Sequence, residues 1–167
     1  MFDELTQVDI KKIQEEIDYR TGVVRTQIHE DIVAAKEFGD LSENAEYKEA
    51  RRAKGQNESR ITYLQNMLRT AKIIQTNPDP NVVGIFDKVE VFFEAEDESE
   101  VMVVSTTLRR DAAKNIISNQ SPLGKAIYGK KLGERVYVEI EPGKGYYVQI
   151  KNIEKGEDDE SLPITKY

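Results

Sequence analysis

The sequence predicts an α+β chain: a long antiparallel helical hairpin followed by a small β-rich domain. Three observations carry this. Apolar residues recur at helical intervals from 8 to 74, with no proline between residues 1 and 77. Gly39 interrupts that pattern near its middle, where a hairpin must turn. Beyond the breaker "NPDPN" (77–81) the apolar period changes to two.

In the first arm Ile10, Ile13, Ile17, Val24 and Ile28 lie three, four or seven residues apart. In the second, so do Ala50, Asn57, Ile61, Leu64, Leu68 and Ala71. Such seams with charged flanks are those of a coiled coil. Antiparallel partners have residue numbers that add to one constant, here 81. Ile13 then meets Leu68, Ile17 meets Leu64, Arg20 meets Ile61, Val24 meets Asn57 and Ala34 meets Tyr47. The turn implied by this pairing falls between 40 and 41, on the Gly39 break. Each arm of about 35 residues would reach roughly 50 Å. The polar seam residues Arg20, Thr21 and Asn57 read first as register control, with contacts to a partner as the alternative.

In the second half, 88–95 and 100–105 alternate around the acidic turn "EAEDESE". "NIISNQ" (115–120) is a short strand. "SPLGKAIYG" (121–129) is a short helix with Ser121 as N-cap, Pro122 in the first turn and Gly129 at the end. "ERVYVEI" and "GYYVQIKNIE" form another alternating pair around "EPGKG". The expected organisation is a coiled coil over 1–77 with an acidic tip near 39–47, a globular domain over 82–156, and a solvated tail over 157–167.

Composition excludes several classes. Net charge is −7, against the basic field that general nucleic-acid wrapping needs. Local basic residues, Lys48, Arg51, Arg52 and Lys54, still permit work beside nucleic acid. There is no Cys, hence no disulfide framework or thiolate metal site. No apolar run approaches the roughly 20 residues of a membrane span, and the start lacks a signal peptide's apolar core, so no membrane and a cytoplasmic location are expected. His29 is the sole histidine and is expected to flank the coiled coil.

The segment "EFGDLSENAEYKEARR" (37–52) raises two readings. Asp40 and Glu43 are spaced as a capping box for the second helix, which spacing alone favours. Alternatively, two carboxylates at the end of a probe can be carried into another protein's site. Mg²⁺ takes hard oxygen donors and often only one or two protein carboxylates. Such a pair would complete a partner's two-metal site for attack on a phosphodiester. Lys48, Arg51 and Arg52 are either phosphate ligands or solvated i,i+4 partners. Tyr47 either packs in the seam or stacks on a base.

The stretch Gly39, Asp40, Leu41, Glu43, Asn44, Ala45, Glu46, Tyr47 resembles the tip motif of the GreA/GreB transcript-cleavage factors of bacterial RNA polymerase. "ISNQSPLGKAIYGKKLGE" is similar to the same family's C-terminal segment, with Gln120 where Asp or Asn is expected. The resemblance spans nearly the whole chain. It implies an N-terminal antiparallel coiled coil and an FKBP-like C-terminal domain. It implies a monomeric accessory factor, not an enzyme by itself, that docks on RNA polymerase and enters its secondary channel. Asp40 and Glu43 would be the catalytic pair, holding a Mg²⁺ shared with the polymerase only in the complex, so that backtracked nascent RNA is cleaved near its 3′ end. Asn44, Glu46 and Tyr47 would support the tip, Lys48, Arg51 and Arg52 would contact RNA, and Ser121, Pro122 and Leu123 would dock on the polymerase. The alternative within this resemblance is a polymerase-binding regulator or inhibitor without cleavage activity. An autonomous metal nuclease is disfavoured because one acid pair on a probe lacks a rigid pocket. A prolyl isomerase is disfavoured because its pocket usually has a Trp floor and this chain has no Trp.

Overall fold

The computed structural model describes residues 3–40 and 43–166. Leu41 and Ser42, on which part of the expected turn and motif falls, lie outside the described residues. Contacts divide the chain into two units, 10–71 and 3–9 with 72–166.

The hairpin unit has α1 (Gln7–Tyr19), a π-helical segment (Arg20–Val24) and α2 (Arg25–Lys36) as one arm, and α3 (Ala45–Thr70) as the other. The first turn of α1 belongs to the other unit. At 26 residues, α3 is about 39 Å long. Ile13, Ile17, Ile28 and Ala35 are buried on the first arm, and Ala50, Asn57, Ile61, Leu64 and Met67 on the second. The helical spacing thus selects much of the seam, but Met67 rather than Leu68 and Ala35 rather than Ala34 are buried, and Ile10, Val24 and Ala71 are half-buried.

The register differs from the expected one. Asn57 meets Arg20, not Val24: the Arg20 guanidinium donates to Asn57 Oδ1 at 3.1 Å, and Asn57 Nδ2 donates to the Arg20 carbonyl at 3.2 Å. Glu16 accepts from Arg20 Nε at 2.7 Å and from Arg60 Nε at 2.9 Å. The π-helical segment accounts for part of this four-residue difference. The Arg25 N–H bonds back five residues to the Arg20 carbonyl, so this turn holds an extra residue that a strict a/d repeat does not anticipate. That same carbonyl also takes the Asn57 amide.

The second unit is built on a five-stranded sheet in the order β5-β4-β3-β7-β6. Its strands are β3 (Lys88–Phe93), β4 (Glu98–Ser105), β5 (Ile116–Ser118), β6 (Arg135–Glu141) and β7 (Lys144–Glu154). Pairing is antiparallel except between β4 and β5. Alternation sends Val89, Val91, Met102, Val104, Val136, Val138, Val148 and Ile150 to one buried face, with Ile127 of helix α4 (Pro122–Ile127) in the same core. Fully burying each such side chain stabilises by about 1.5–3 kcal/mol. Two short strands, β1 (Glu4–Leu5) and β2 (Lys72–Ile73), pair in parallel, with Leu5 fully buried. The architecture is the expected α+β one, a helical hairpin and a β-rich domain.

Two expectations are corrected at the ends. Residues 3–9 were expected in the coiled coil, but they pack with 72–166 through the β1–β2 ladder and a capping box. In that box Asp9 N–H donates to Thr6 Oγ1 at 3.3 Å and Thr6 N–H donates to Asp9 Oδ2 at 3.1 Å. The tail expected to be solvated over 157–167 is tied down over its described part. Asp158 accepts from the Thr6 hydroxyl and from Arg109. Arg109 also donates to the carbonyls of Asp159, at 3.2 Å, and Leu162, at 3.3 Å. The physical reason is Arg109 itself: it is 1% exposed, and a buried guanidinium requires acceptors on its fork of donors.

Candidate functional site at the hairpin tip

The tip begins where α2 runs out of helix. The Phe38 N–H donates to the Ala35 carbonyl at 3.2 Å, and Gly39 takes φ of +100°, a left-handed conformation that a side chain would strain. Asp40 and Glu43 follow, both exposed. Helix α3 then starts at Asn44. Its Oδ1 accepts from the Tyr47 N–H at 3.0 Å, which makes it the N-cap. Its Nδ2 donates to the Ala35 carbonyl at 2.7 Å, across the turn. One amide therefore starts one helix and holds the end of the other.

The capping-box reading of Asp40 and Glu43 is overturned by this geometry, because Asn44 occupies the N-cap. The reciprocal box in this protein is Thr6 with Asp9. Sequence reasoning assigned Asn44 only a supporting role, although an Asn just before the helix-forming run "AEYKEA" is itself an N-cap signal.

Phe38, Asp40, Glu43, Asn44, Ala45 and Glu46 line one open hollow of about 430 Å³. The two acids predicted to act are thus brought together with Glu46. Phe38, 74% exposed, was not singled out in the sequence. Among the described residues no group of three or more acids or histidines converges to hold a metal alone. Exposed hard carboxylate oxygens, too few for a complete shell, fit a Mg²⁺ site whose other ligands come from elsewhere.

Lys48, Arg51 and Arg52 are exposed on α3 behind the acids, within about 6 Å of axial rise. Among the described residues Lys48 and Arg52 form no ion pair, so the i,i+4 alternative fails for them. The Arg51 guanidinium lies 5.9 Å from the centre of the half-buried Tyr47 ring, a cation–π contact. His29 is exposed on α2.

The predicted docking residues lie in the other unit. Ser121 caps α4, accepting from the Gly124 N–H at 3.1 Å and donating to the Ser118 carbonyl at 2.7 Å. Leu123 packs against the core, and Pro122 is exposed. The Gln120 N–H donates to Ser118 Oγ at 3.0 Å.

Residues 4–73 match the family profile described as "Transcription elongation factor, N-terminal", and 77–155 match "Transcription elongation factor, GreA/GreB, C-term". The chain belongs to the GreA/GreB family of transcription elongation factors. It is 40% identical over 140 residues to transcription elongation factor GreA of Caldanaerobacter subterraneus subsp. tengcongensis, covering 83% of this chain and 89% of the relative. It is 39% identical over 145 residues to GreA of Clostridium botulinum strain Langeland, covering 86% and 90%. A solved structure of the GreA factor homolog 1 (Gfh1) protein of Thermus thermophilus aligns with 92% of this chain and 99% of that one at 20% identity. Its TM-score is 0.39, a likeness too loose to bear on any residue. No helix among the described residues is long and apolar enough to cross a membrane.

Proposed function

We propose that this GreA/GreB-family chain acts on bacterial RNA polymerase as a monomer, entering its secondary channel tip-first and stimulating cleavage of backtracked nascent RNA. The observation that supports this most is that Asn44, and not Asp40, is the N-cap of α3. Asp40 and Glu43 stand exposed in one hollow at the end of a two-helix probe, while Asn44 does the structural work.

In this reading the chain is not an enzyme alone. Asp40 and Glu43 present carboxylate oxygens toward the polymerase active site, and Asn44 fixes the span over which they do so. Glu46 borders the same hollow, and Tyr47, whose N–H is held by the Asn44 cap, supports the tip beside it. A Mg²⁺ shared with the polymerase, when bound, supplies charge and an activated water for in-line attack on the phosphodiester. Lys48, Arg51 and Arg52 neutralise phosphates of the extruded RNA 3′ segment. The Ser121–Pro122–Leu123 turn, stiffened by its cap, docks on the polymerase surface.

The test uses Asp40→Asn and Glu43→Gln in stalled elongation complexes. Neither residue caps α3, so folding should change by less than about 0.5 kcal/mol, as for ordinary surface substitutions. Polymerase binding should persist while cleavage stimulation is nearly abolished. Added Mg²⁺ should restore part of it, because weakened ligand affinity is offset by mass action. Full stimulation by the double variant would remove the acids from the mechanism.

A further inference from the structure

We propose that residues 157–166 form a releasable acidic strap, bound in cis to a site made by Arg109, Thr6 and Leu108, that keeps the N-terminal segment 3–9 seated on the C-terminal unit. The proposal does not depend on the cleavage reading. The family match ends at residue 155, so the strap lies beyond the region on which the family assignment rests.

The site is built around Arg109. Its guanidinium stacks over Phe86, 5.3 Å from the ring centre, and is flanked by two carboxylates from opposite ends of the chain. Asp9 Oδ1 lies 3.3 Å from Nε, and Asp158 meets Nη2. Asp158 also takes the Thr6 hydroxyl, so one tail carboxylate touches both the buried cation and the N-terminal segment. Further along, the carbonyls of Asp159 and Leu162 accept from Arg109 Nη1, and the Thr165 hydroxyl donates to the Leu108 carbonyl at 2.7 Å. An acidic peptide with free backbone carbonyls is the ligand this chemistry selects, and the tail "EDDESLPITK" supplies it.

The two carboxylates are not equivalent, and that makes the strap releasable. Asp9 is wholly buried and fixed by its capping box. The Asp158 side chain is 15% exposed, on a segment of alternating half-buried and exposed residues. When the strap leaves, Arg109 keeps Asp9, and no buried charge is left unpaired. Beneath the strap, between 109–111 and 162–166, a cavity of about 200 Å³ remains, so the tail covers this surface without filling it. Its upstream anchor is separate. Lys155 pairs with Asp87, the Gly156 N–H donates to Asp87 Oδ1 at 3.1 Å, and a Cβ at Gly156 would sit 1.9 Å from the Phe86 carbonyl oxygen. The chain is therefore pinned at 155–156, and the Arg109 site and the Thr165–Leu108 contact hold it further on. Segment 3–9 runs directly into α1, so the strap governs how firmly the start of that helix is held.

Amide hydrogen exchange on the full chain tests this. In Asp158→Ala, exchange at Thr165, Thr6 and Asp9 should accelerate at least tenfold, with Val91 and Ile150 in the sheet unchanged. A synthetic 157–166 peptide added in excess should restore protection at Thr6 and Asp9, and the same peptide carrying D158N should not. Acceleration confined to the tail would overturn the link to the N-terminal segment. Acceleration throughout the sheet would show the tail to be integral to the fold, and no change at all would show that the Asp158 carboxylate does not hold the strap, which would overturn the proposal.

Discussion

Replacing Asn44 by Ala removes both functions of one amide, and the two losses have different sizes. The Tyr47 N–H loses its side-chain acceptor, an N-cap loss of about 1 kcal/mol. The Ala35 carbonyl loses the Asn44 donor, a hydrogen bond of about 0.5–1.5 kcal/mol net. That carbonyl keeps the Phe38 N–H, so the second loss belongs at the low end of its range. The hairpin should lose about 1.5–2 kcal/mol. Asn44→Asp separates the parts: Asp is as good an N-cap as Asn and suits a helix N-terminus, but a carboxylate cannot donate to Ala35. It should cost only the clasp, about 0.5–1 kcal/mol. Urea unfolding followed by helical circular dichroism reads mainly the hairpin, which holds three of the four α-helices among the described residues. The two units need not melt together, so that signal is fitted alone. In cleavage assays both variants should need more Mg²⁺ than wild type, because the span between Asp40 and Glu43 is no longer fixed. An Asn44→Ala hairpin within about 0.3 kcal/mol of wild type, inside the spread of neutral surface changes, would refute the clasp. So would an Asn44→Asp protein indistinguishable from wild type in both assays.

Two further outcomes follow from the same geometry. Arg51→Ala with Arg52→Ala should weaken cleavage stimulation most at low salt and leave polymerase binding largely intact; a cleavage rate unchanged at every salt concentration would return both residues to plain surface. Burial disfavours charge on Glu16, but hydrogen bonds from Arg60 and Arg20 outweigh it and hold its carboxyl below the ordinary 4.5. A carboxyl depressed in the folded state stabilises above its unfolded pKa, and that stability is lost as pH falls from about 4.5 through the folded value. Helical stability should therefore drop on acidification below that point in wild type and less steeply in Glu16→Gln, and parallel profiles would contradict the pairing.

The hairpin and the sheet were legible because each has a period. Spacings of three and four select Ile13, Ile17, Ile61 and Leu64, and spacings of two select Val89, Val91, Val136 and Val138, all buried. The register was not, because pairing by constant spacing assumes a uniform helix and the π-helical turn at Arg20–Val24 breaks it. The tail was misread for a related reason. Its acidic, polar composition is that of solvated chain, and much of what holds it is a buried Arg in the aperiodic stretch "TTLRRDAAK". Arg is among the residues most often exposed, so no pattern rule marks that position. At the tip, composition drew attention to the acidic cluster, but Asp40-x-x-Glu43 and Asn44-x-x-Tyr47 are equally good caps by spacing.

What separates them is chemistry that spacing does not carry. The α3 N-cap must accept a hydrogen bond from Tyr47, and the residue facing the end of α2 must donate one to Ala35. Asn44 does both with one short amide side chain, whereas a carboxylate there could accept but not donate. With that position filled, Asp40 and Glu43 contribute nothing to starting the helix. They share an open hollow with Glu46, where like charges repel each other and the positive end of α3 offsets them in part. Among the described residues this cluster has too few ligands to hold a metal by itself. In the proposed function such a tip would bind a metal only beside a partner that supplies the remaining ligands, which would confine its chemistry to the moment when the hairpin is inserted.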